Sequence, residues 1–485
     1  MEENSPPRDP SVTQDQLAPA KQIETLSTSE LWDEIGYHKP IAGFWYNIVL
    51  TLLGIALSAV LFGYLIGFFY PYPDSLGMKD IAFGYFSLLF VLFDIGTGAV
   101  MGRFIPEVNI KNPEKMMHYI QYFIWYQMIT GLIQTTAVSI YALFYAPHGT
   151  MAYTIWIMLI ASTTQYPGFL GCFRNVLDSL QQYDKTRFLG FITGTVMQTF
   201  TSYLFLYLGR IYGENNPIVG PILGIAIGAA IGGYVDDFFA TVLGAYYFNK
   251  ILKAYGITAM HCFRVEFTWE EIKPLLIYSL KTSLPVFITG PINYASFLIT
   301  VSYVPQYTTL MFLSIVGGSI GDVMGWFGGA GITALVSESF MNEKKMLTQY
   351  YIGQEVRFNT FLIGFFAPLI LILIRVMPIA YVALNMAQYV IATMYIFPRL
   401  VRFCIERYFG IPGSVMYGAN KPEFGIVMGI IHTILDFIVK YCYLVVFRLP
   451  LQLGLEGTIY LLEWGHLPLA ITVHAILYKI GRAHV

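Results

Sequence analysis

Charge is scarce in this sequence: Asp, Glu, Lys and Arg make up 12% of its 485 residues, against about a quarter in ordinary soluble domains. That scarcity excludes a normal water-facing surface. The formal net charge is -2 and Lys and Arg do not cluster, which excludes a nucleic-acid binder or a polybasic membrane-surface protein. The four cysteines, Cys172, Cys262, Cys404 and Cys442, form no CxxC pair and show no metal-like His/Cys spacing, so they read as packing residues. A secretory leader is also missing from the start. Residues 1–40 are instead polar, acidic and Pro-containing, a disordered cytoplasmic tail closing on a short interfacial helix around Leu31 to Tyr37.

What the chain has in excess is apolar residue, 56% of the total. These residues gather into runs such as "IVLTLLGIALSAVLFGYLIGFFY" and "FLIGFFAPLILILI", which approach or reach the roughly 20 residues that cross a bilayer as helix. The fold class is therefore all-α integral membrane, with about twelve transmembrane helices. Their centres fall near Leu57, Leu89, Ile129, Ile160, Phe200, Ile227, Ile288, Ile315, Phe366, Ile391, Ile431 and Leu469. Basic residues favour alternate loops, among them Arg103, Lys111 and Lys115 after the second span, Lys250, Lys253 and Arg264 after the sixth, and Arg407 and Lys421 after the tenth. The remaining loops hold little beyond Lys79, Arg210, Arg375 and Arg448. The positive-inside rule then puts both chain ends in the cytoplasm.

A repeat underlies the count. "YDKTRFLGFITG" after the fourth span and "GANKPEFGIVMG" after the tenth lie roughly 230 residues apart, an offset close to that between "DIGTGAV" and "GDVMGWFGGAG". A six-helix unit used twice in parallel follows, a plan that places a substrate site between two lobes near the midplane. The divisions are a tail over 1–40, an N-terminal six-helix lobe over 41–250, a cytoplasmic linker with an amphipathic helix over 251–273, and a C-terminal six-helix lobe over 274–478. Residues 479–485, "KIGRAHV" from Lys479 to Val485, read as the in-frame translation of a sequencing-adapter oligonucleotide, so the helix count is a minimum.

"YFSLLFVLFDIGTGAVMGRFIPE" and "FTWEEIKPLLIYSLKTSLPVFITG" resemble the second helix and the start of the second half in polysaccharide or oligosaccharide flippases. These belong to the multidrug, oligosaccharidyl-lipid and polysaccharide exporter superfamily. The resemblance runs in general pattern from about Trp45 onward and rests on loose apolar motifs. It implies a V-shaped alternating-access transporter in the cytoplasmic membrane that moves isoprenoid-phosphate-linked oligosaccharide from the inner to the outer face. Some members of that family carry two further C-terminal helices, and two pseudo-equivalent lobes in one chain make a monomer sufficient. The long N-terminal tail departs from the pattern.

A phosphate head group needs cations in a wet cleft, and arginine suits it because its guanidinium fork bonds two oxygens. The candidate substrate-binding residues are Lys281, Arg174, Arg103, Arg399 and Arg402. Lys281 is the sharpest, standing below Pro285 and Pro291 in the seventh span. For Arg103, Arg399 and Arg402 the competing reading is snorkelling to the cytoplasmic interface. Asp94, Asp322, Asp236, Asp237 and Asp436 lie in or beside apolar spans, where a carboxylate is paired, solvated or protonated. They either couple transport to H+ or Na+ or pair structurally, and Asp436 is spaced four residues from Lys440. No cofactor and no metal are implied. His432, His466 and His474 read as scattered interior histidines. The rival functions are a cation-coupled multidrug or metabolite antiporter of the same superfamily, a membrane glycosyltransferase or ligase using lipid-linked sugars, and a scaffold without transport.

Overall fold

The structure is a computed structural model and describes residues 49–54, 66–72, 74–93, 112–148, 155–164, 171–180, 183–253, 258–321, 345–419 and 422–484, with a few isolated positions between them. Every regular element among them is helical. After a one-turn helix Ile66–Phe69, the elements of the first half are α1 (Asp74–Phe93), α2 (Pro113–Ile140), α3 (Ile155–Thr164), α4 (Cys172–Ser179), α5 (Tyr183–Phe191), α6 (Gln198–Asn215) and α7 (Gly220–Leu252). The second half holds α8 (Trp269–Tyr303), α9 (Tyr307–Gly321), α10 (Lys345–Ala383), α11 (Thr393–Gly418), α12 (Pro422–Tyr441), α13 (Leu449–Trp464) and α14 (Leu467–His484).

Among the described residues six helices are long and apolar enough to cross a membrane, and Tyr307–Gly321 is a shorter apolar helix. The longest, α10, shows why the sequence demands lipid: Phe361, Phe365, Leu369, Ile372, Val376, Ile379 and Val382 are all exposed. Their spacing of three or four residues puts them on one face. That face is apolar and outward, the reverse of a water-soluble helix. The chain is a multi-pass membrane protein.

Local signals set the helix starts. Asn112 caps α2 by accepting from the Lys115 N–H at 3.0 Å, with Pro113 following it. Thr268 and Glu271 form a capping box at the start of α8, which satisfies two of the orphan donors there. The Thr268 N–H, and after it His118, hold the Glu271 carboxyl below the usual carboxylate range. This cap therefore stabilises the fold above that range and is lost as falling pH protonates Glu271. The amphipathic stretch expected as a separate linker helix is the first turns of α8, which runs on unbroken to Tyr303.

One expected span moves. Ile391 lies in the short 3-10 turn Ala387–Ala392, and the tenth helix proper starts at Thr393 and ends at Gly418. Arg407, expected in a loop, therefore lies inside α11 and donates to Asn359 Oδ1 at 2.6 Å. Polar residues looked like a boundary in one dimension; their partners on other helices let the helix carry them. The two repeat motifs each open a helix, α5 at Tyr183 and α12 at Pro422.

Helices α6 and α7 form the tightest pair. Gly209, Gly213, Gly224 and Gly228 let the two backbones touch, so that a Cβ on Gly228 would stand 2.1 Å from the Phe205 carbonyl oxygen. Small residues allow such approach where lipid supplies no hydrophobic drive. At the other end of the first half, residues 258–266 fold back on α2. Gln121 Nε2 donates to the His261 carbonyl and to Glu266 Oε2, both at 3.0 Å, and Trp125 Nε1 donates to the Phe263 carbonyl at 3.2 Å. Cys262 is buried there with its thiol pushed up to about 12 by loss of solvent.

The halves meet along α1, which packs on both α8 and α9. A Cβ on Gly77 would stand 2.4 Å from the Thr308 carbonyl oxygen, and one on Gly84 would strike the Phe297 ring. Gly228→Val is expected to lower the melting temperature in detergent, at a cost of about 1–3 kcal/mol from overpacking. Gly233→Ala, whose new Cβ meets nothing within 4 Å, is expected to leave it unchanged or raised. Equal melting of the two variants would sink the close-packing account.

Candidate functional site

The densest polar network among the described residues lies in the second half, where α11 packs on α12, α13 and α14. Glu463, near the end of α13, is 3% exposed. An isolated carboxylate so placed would be prohibitively costly. Three groups on α11 answer it: the Tyr395 hydroxyl donates to Oε1, Arg399 Nη1 to Oε2 at 3.5 Å, and Arg402 Nη1 to Oε2 at 3.3 Å. These residues stand at spacings of four and three, one face of the helix. Arg402 also donates through Nε to Glu406 Oε1 at 2.8 Å, and Glu406 Oε1 lies 3.1 Å from Nε2 of His466. Trp464 Nε1 closes the pair by donating to the Pro398 carbonyl at 3.0 Å.

The network continues on α12. Lys440 and Asp436 pair at 2.7 Å, while Oδ1 of Asp436 and Nε2 of His432 are buried without a hydrogen-bond partner. Contrary to the expectation from sequence, the three histidines are gathered: the His432 ring centre lies 6.4 Å from that of His466 and 6.0 Å from that of His474. His432 also differs from a satisfied core histidine in that its Nε2 has no hydrogen-bond partner among the described residues. Sequence distance hid this, because α12 and α14 meet only on folding.

Arg399 and Arg402 are therefore bound to Glu463 and Glu406. Counted along the chain they lie in the first turns of α11, the end that follows the turn Ala387–Ala392, whereas a cytoplasmic-interface reading required the opposite end. Arg174 is exposed on the short helix α4, its Nη2 3.1 Å from where a Gly190 Cβ would lie. Lys281 is carried in α8, where Pro285 removes the N–H that the Lys281 carbonyl would accept. Asp236 is buried in α7 with Oδ1 unpartnered, and its neighbour Asp237 is exposed. Arg103, Asp94 and Asp322 lie outside the described residues. Of the sequence candidates, the structure brings together Arg399 and Arg402, with Asp436 on an adjacent helix.

A second constellation lines the meeting of the halves. Tyr85 of α1 is edge-on to Phe297 of α8 at 5.8 Å, and Phe297 is also packed by Tyr294 and by Tyr307 of α9. Two acids stand on α1 beside them: Asp80 accepts from the Tyr307 hydroxyl at 3.5 Å and Asp74 from the Thr309 hydroxyl at 3.4 Å. Lys79 is turned over the Phe83 ring. The Tyr389 hydroxyl donates to the Tyr70 carbonyl at 2.6 Å, tying the second half to the first at this same end.

No protein-family profile and no curated protein matches the chain. Solved structures do. A multidrug resistance MATE family transporter of the MOP superfamily, in its inward-facing conformation, is similar with a TM-score of 0.55 and 13% identity over 92% of this chain and 94% of that one. An outward-facing structure carrying the same family description gives 0.53 and 13% over 92% and 96%. A MOP superfamily transporter from Pyrococcus furiosus, reported for the reverse polarity of its binding pocket, gives 0.55 and 13% over 92% and 96%. The chain has the MATE fold.

Within that fold, sequence reasoning missed Glu463, Glu406 and Tyr395. A signal was available for Glu463, an acid inside the last apolar run, where an unpaired charge has no place. Glu463→Gln removes the carboxylate that Arg399 and Arg402 share, leaving Arg402 with Glu406, and is expected to cost about 3–5 kcal/mol, seen as a large fall in melting temperature. Tyr395→Phe removes one hydrogen bond and is expected to cost about 1 kcal/mol. A Glu463→Gln protein as stable as wild type would mean that the arginines are compensated elsewhere.

Proposed function

We propose that this protein is a membrane transporter, and not an enzyme, that extrudes small amphiphilic solutes by alternating access between its two halves. The observation that carries this reading is the chemistry of the seam: Tyr85, Tyr294, Phe297 and Tyr307 offer aromatic faces, with Asp80 and Asp74 beside them. Aromatic faces and carboxylates suit an organic, cationic or neutral guest. A phosphate site needs uncompensated cations, and Arg399 and Arg402 are matched by Glu463 and Glu406. Similarity to both inward-facing and outward-facing structures supports a fold built for two states.

The basic residues in alternate loops support a cytoplasmic N-terminus in the cell membrane, and two halves in one chain support a monomer as the working unit. Transport of isoprenoid-phosphate-linked oligosaccharide is the second reading, favoured by the resemblance carried by the stretches around Asp94 to Glu107 and Phe267 to Gly290.

In reconstituted vesicles, protein-dependent efflux of a fluorescent organic cation is expected, without leaflet exchange of a fluorescent isoprenoid-pyrophosphate saccharide. Exchange of the saccharide alone would reverse the order of the two readings. Alternating access further requires the seam to part. Asp74→Cys with Thr309→Cys, bridged by a short thiol cross-linker, is expected to reduce efflux more than tenfold, with recovery on reduction. Undiminished efflux from the bridged protein would rule out movement of α1 against α9.

A further inference from the structure

The outward apolar stripes of three helices end at one place, the segment 258–269 that joins the halves. On α2 the stripe runs back through Ile140, Leu132 and Ile129, all exposed, and the residue one turn further on that face is Trp125. Its Nε1 donates to the Phe263 carbonyl at 3.2 Å, so the joining segment crosses α2 about 5 Å beyond the last of these exposed side chains. On α7 the stripe Phe239, Val242 and Tyr246 passes at the same helical spacing into Lys250 and Lys253, both exposed. There the Ala259 N–H donates to Asn249 Oδ1 at 2.6 Å. On α8 the exposed residues Ile288, Leu284, Leu280 and Ile277 are followed on the same face by Lys273 and then Trp269, each one turn further toward the helix start.

The segment itself has two faces. Ala259 and Cys262 are buried on the side that packs on α2, where Gln121 bonds the His261 carbonyl and Glu266. On the other side Met260, Val265 and Trp269 are 76%, 60% and 64% exposed. A single exposed apolar side chain needs no explanation, but three large ones on a segment tied down by hydrogen bonds mark a contact surface. Lys250, Lys253, Arg264 and Lys273 stand exposed around them. The acids there are Glu266, Glu270 and Glu271; Glu266 is bonded to Gln121, and Glu271 to Thr268 of the cap and to His118. Arg264 and Glu266 lie 3.7 Å apart with both side chains largely in solvent, a pair worth little. The cations therefore remain open to an anionic partner. Trp beside lipid-facing residues, with Lys and Arg around it, is the chemistry of a headgroup layer. A soluble protein would need this patch clear of the bilayer, whereas the Trp125 bond sets the segment at the foot of the α2 stripe.

We propose that residues 258–269 and the helix ends beside them are seated in the headgroup layer of the membrane, with Met260, Val265 and Trp269 inserted and Lys250, Lys253, Arg264 and Lys273 binding the phosphates of anionic phospholipid. Anionic lipid is concentrated in the cytoplasmic leaflet, the leaflet that the orientation proposed above assigns to this segment. Seating in lipid depends neither on that orientation nor on the solute carried. Because the segment is bonded to α2 and α7 and continues into α8, its seat holds three helices, drawn from both halves, at one depth in the bilayer.

The test uses the full chain in nanodiscs, where both faces of the bilayer meet solvent. The emission of Trp269 is taken as the difference between wild type and Trp269→Phe. In phosphatidylcholine carrying a nitroxide near the glycerol end of its acyl chain, that emission is expected to fall about twofold, with little quenching by aqueous acrylamide. In a second measurement the melting temperature is compared between phosphatidylcholine and an equal mixture with phosphatidylglycerol. Anionic lipid bound to the folded chain is expected to raise it by several degrees. The rise is expected to fall by at least half when Lys250→Gln, Lys253→Gln, Arg264→Gln and Lys273→Gln are combined. Each protein is compared with itself in the two lipids, so a change in basal stability of the variant does not enter. A Trp269 open to acrylamide and untouched by the nitroxide would leave the patch facing water, as a surface for a soluble protein, and would overturn the proposal. An equal rise in the variant and the wild type would overturn the assignment of anionic lipid to these cations.

Discussion

Compensation of the Glu463 carboxylate is the constraint on which the second half depends. A group 3% exposed inside a membrane protein has no water to fall back on, and the cost of leaving it unpaired exceeds the stability of most domains. Among the described residues the donors that answer it are on α11, and their reach fixes how α11 and α13 sit against each other. Arg402 carries the constraint onward to Glu406, and Glu406 to His466 in the turn just before α14. One buried charge thus sets the positions of three helices.

The first half is organised by a different force. Backbone contact through Gly209, Gly213, Gly224 and Gly228 locks α6 to α7, and the polar links from α2 to residues 258–266 secure the start of the second half. Neither involves a buried ion pair. One half is thus held by backbone contact and the other by buried ion pairs.

The seam between them combines aromatic, polar and close backbone contacts. Its contacts include aromatic edges, long hydrogen bonds from Tyr307 to Asp80 at 3.5 Å and from Thr309 to Asp74 at 3.4 Å, a short one from Tyr389 to the Tyr70 carbonyl at 2.6 Å, and close backbone approach at Gly77. Each hydrogen bond is worth little alone, and each leaves a wettable group when broken.

Much of this was legible in the sequence. Uninterrupted apolar runs determine a membrane-spanning helical chain because backbone groups in lipid must be satisfied within the helix, and the Asn112 and Thr268 caps are local chemistry. The i,i+4 spacing of Asp436 and Lys440 was readable for the same reason. What sequence could not decide is which distant charges meet. Arg399 and Arg402 looked like unmatched cations because Glu463 lies more than sixty residues away, and the histidines looked scattered because α12 and α14 face each other only after folding. A helix's own periodicity fixes which residues share its face, but the partner of that face is chosen by tertiary packing, where the energy of pairing buried charge is decided.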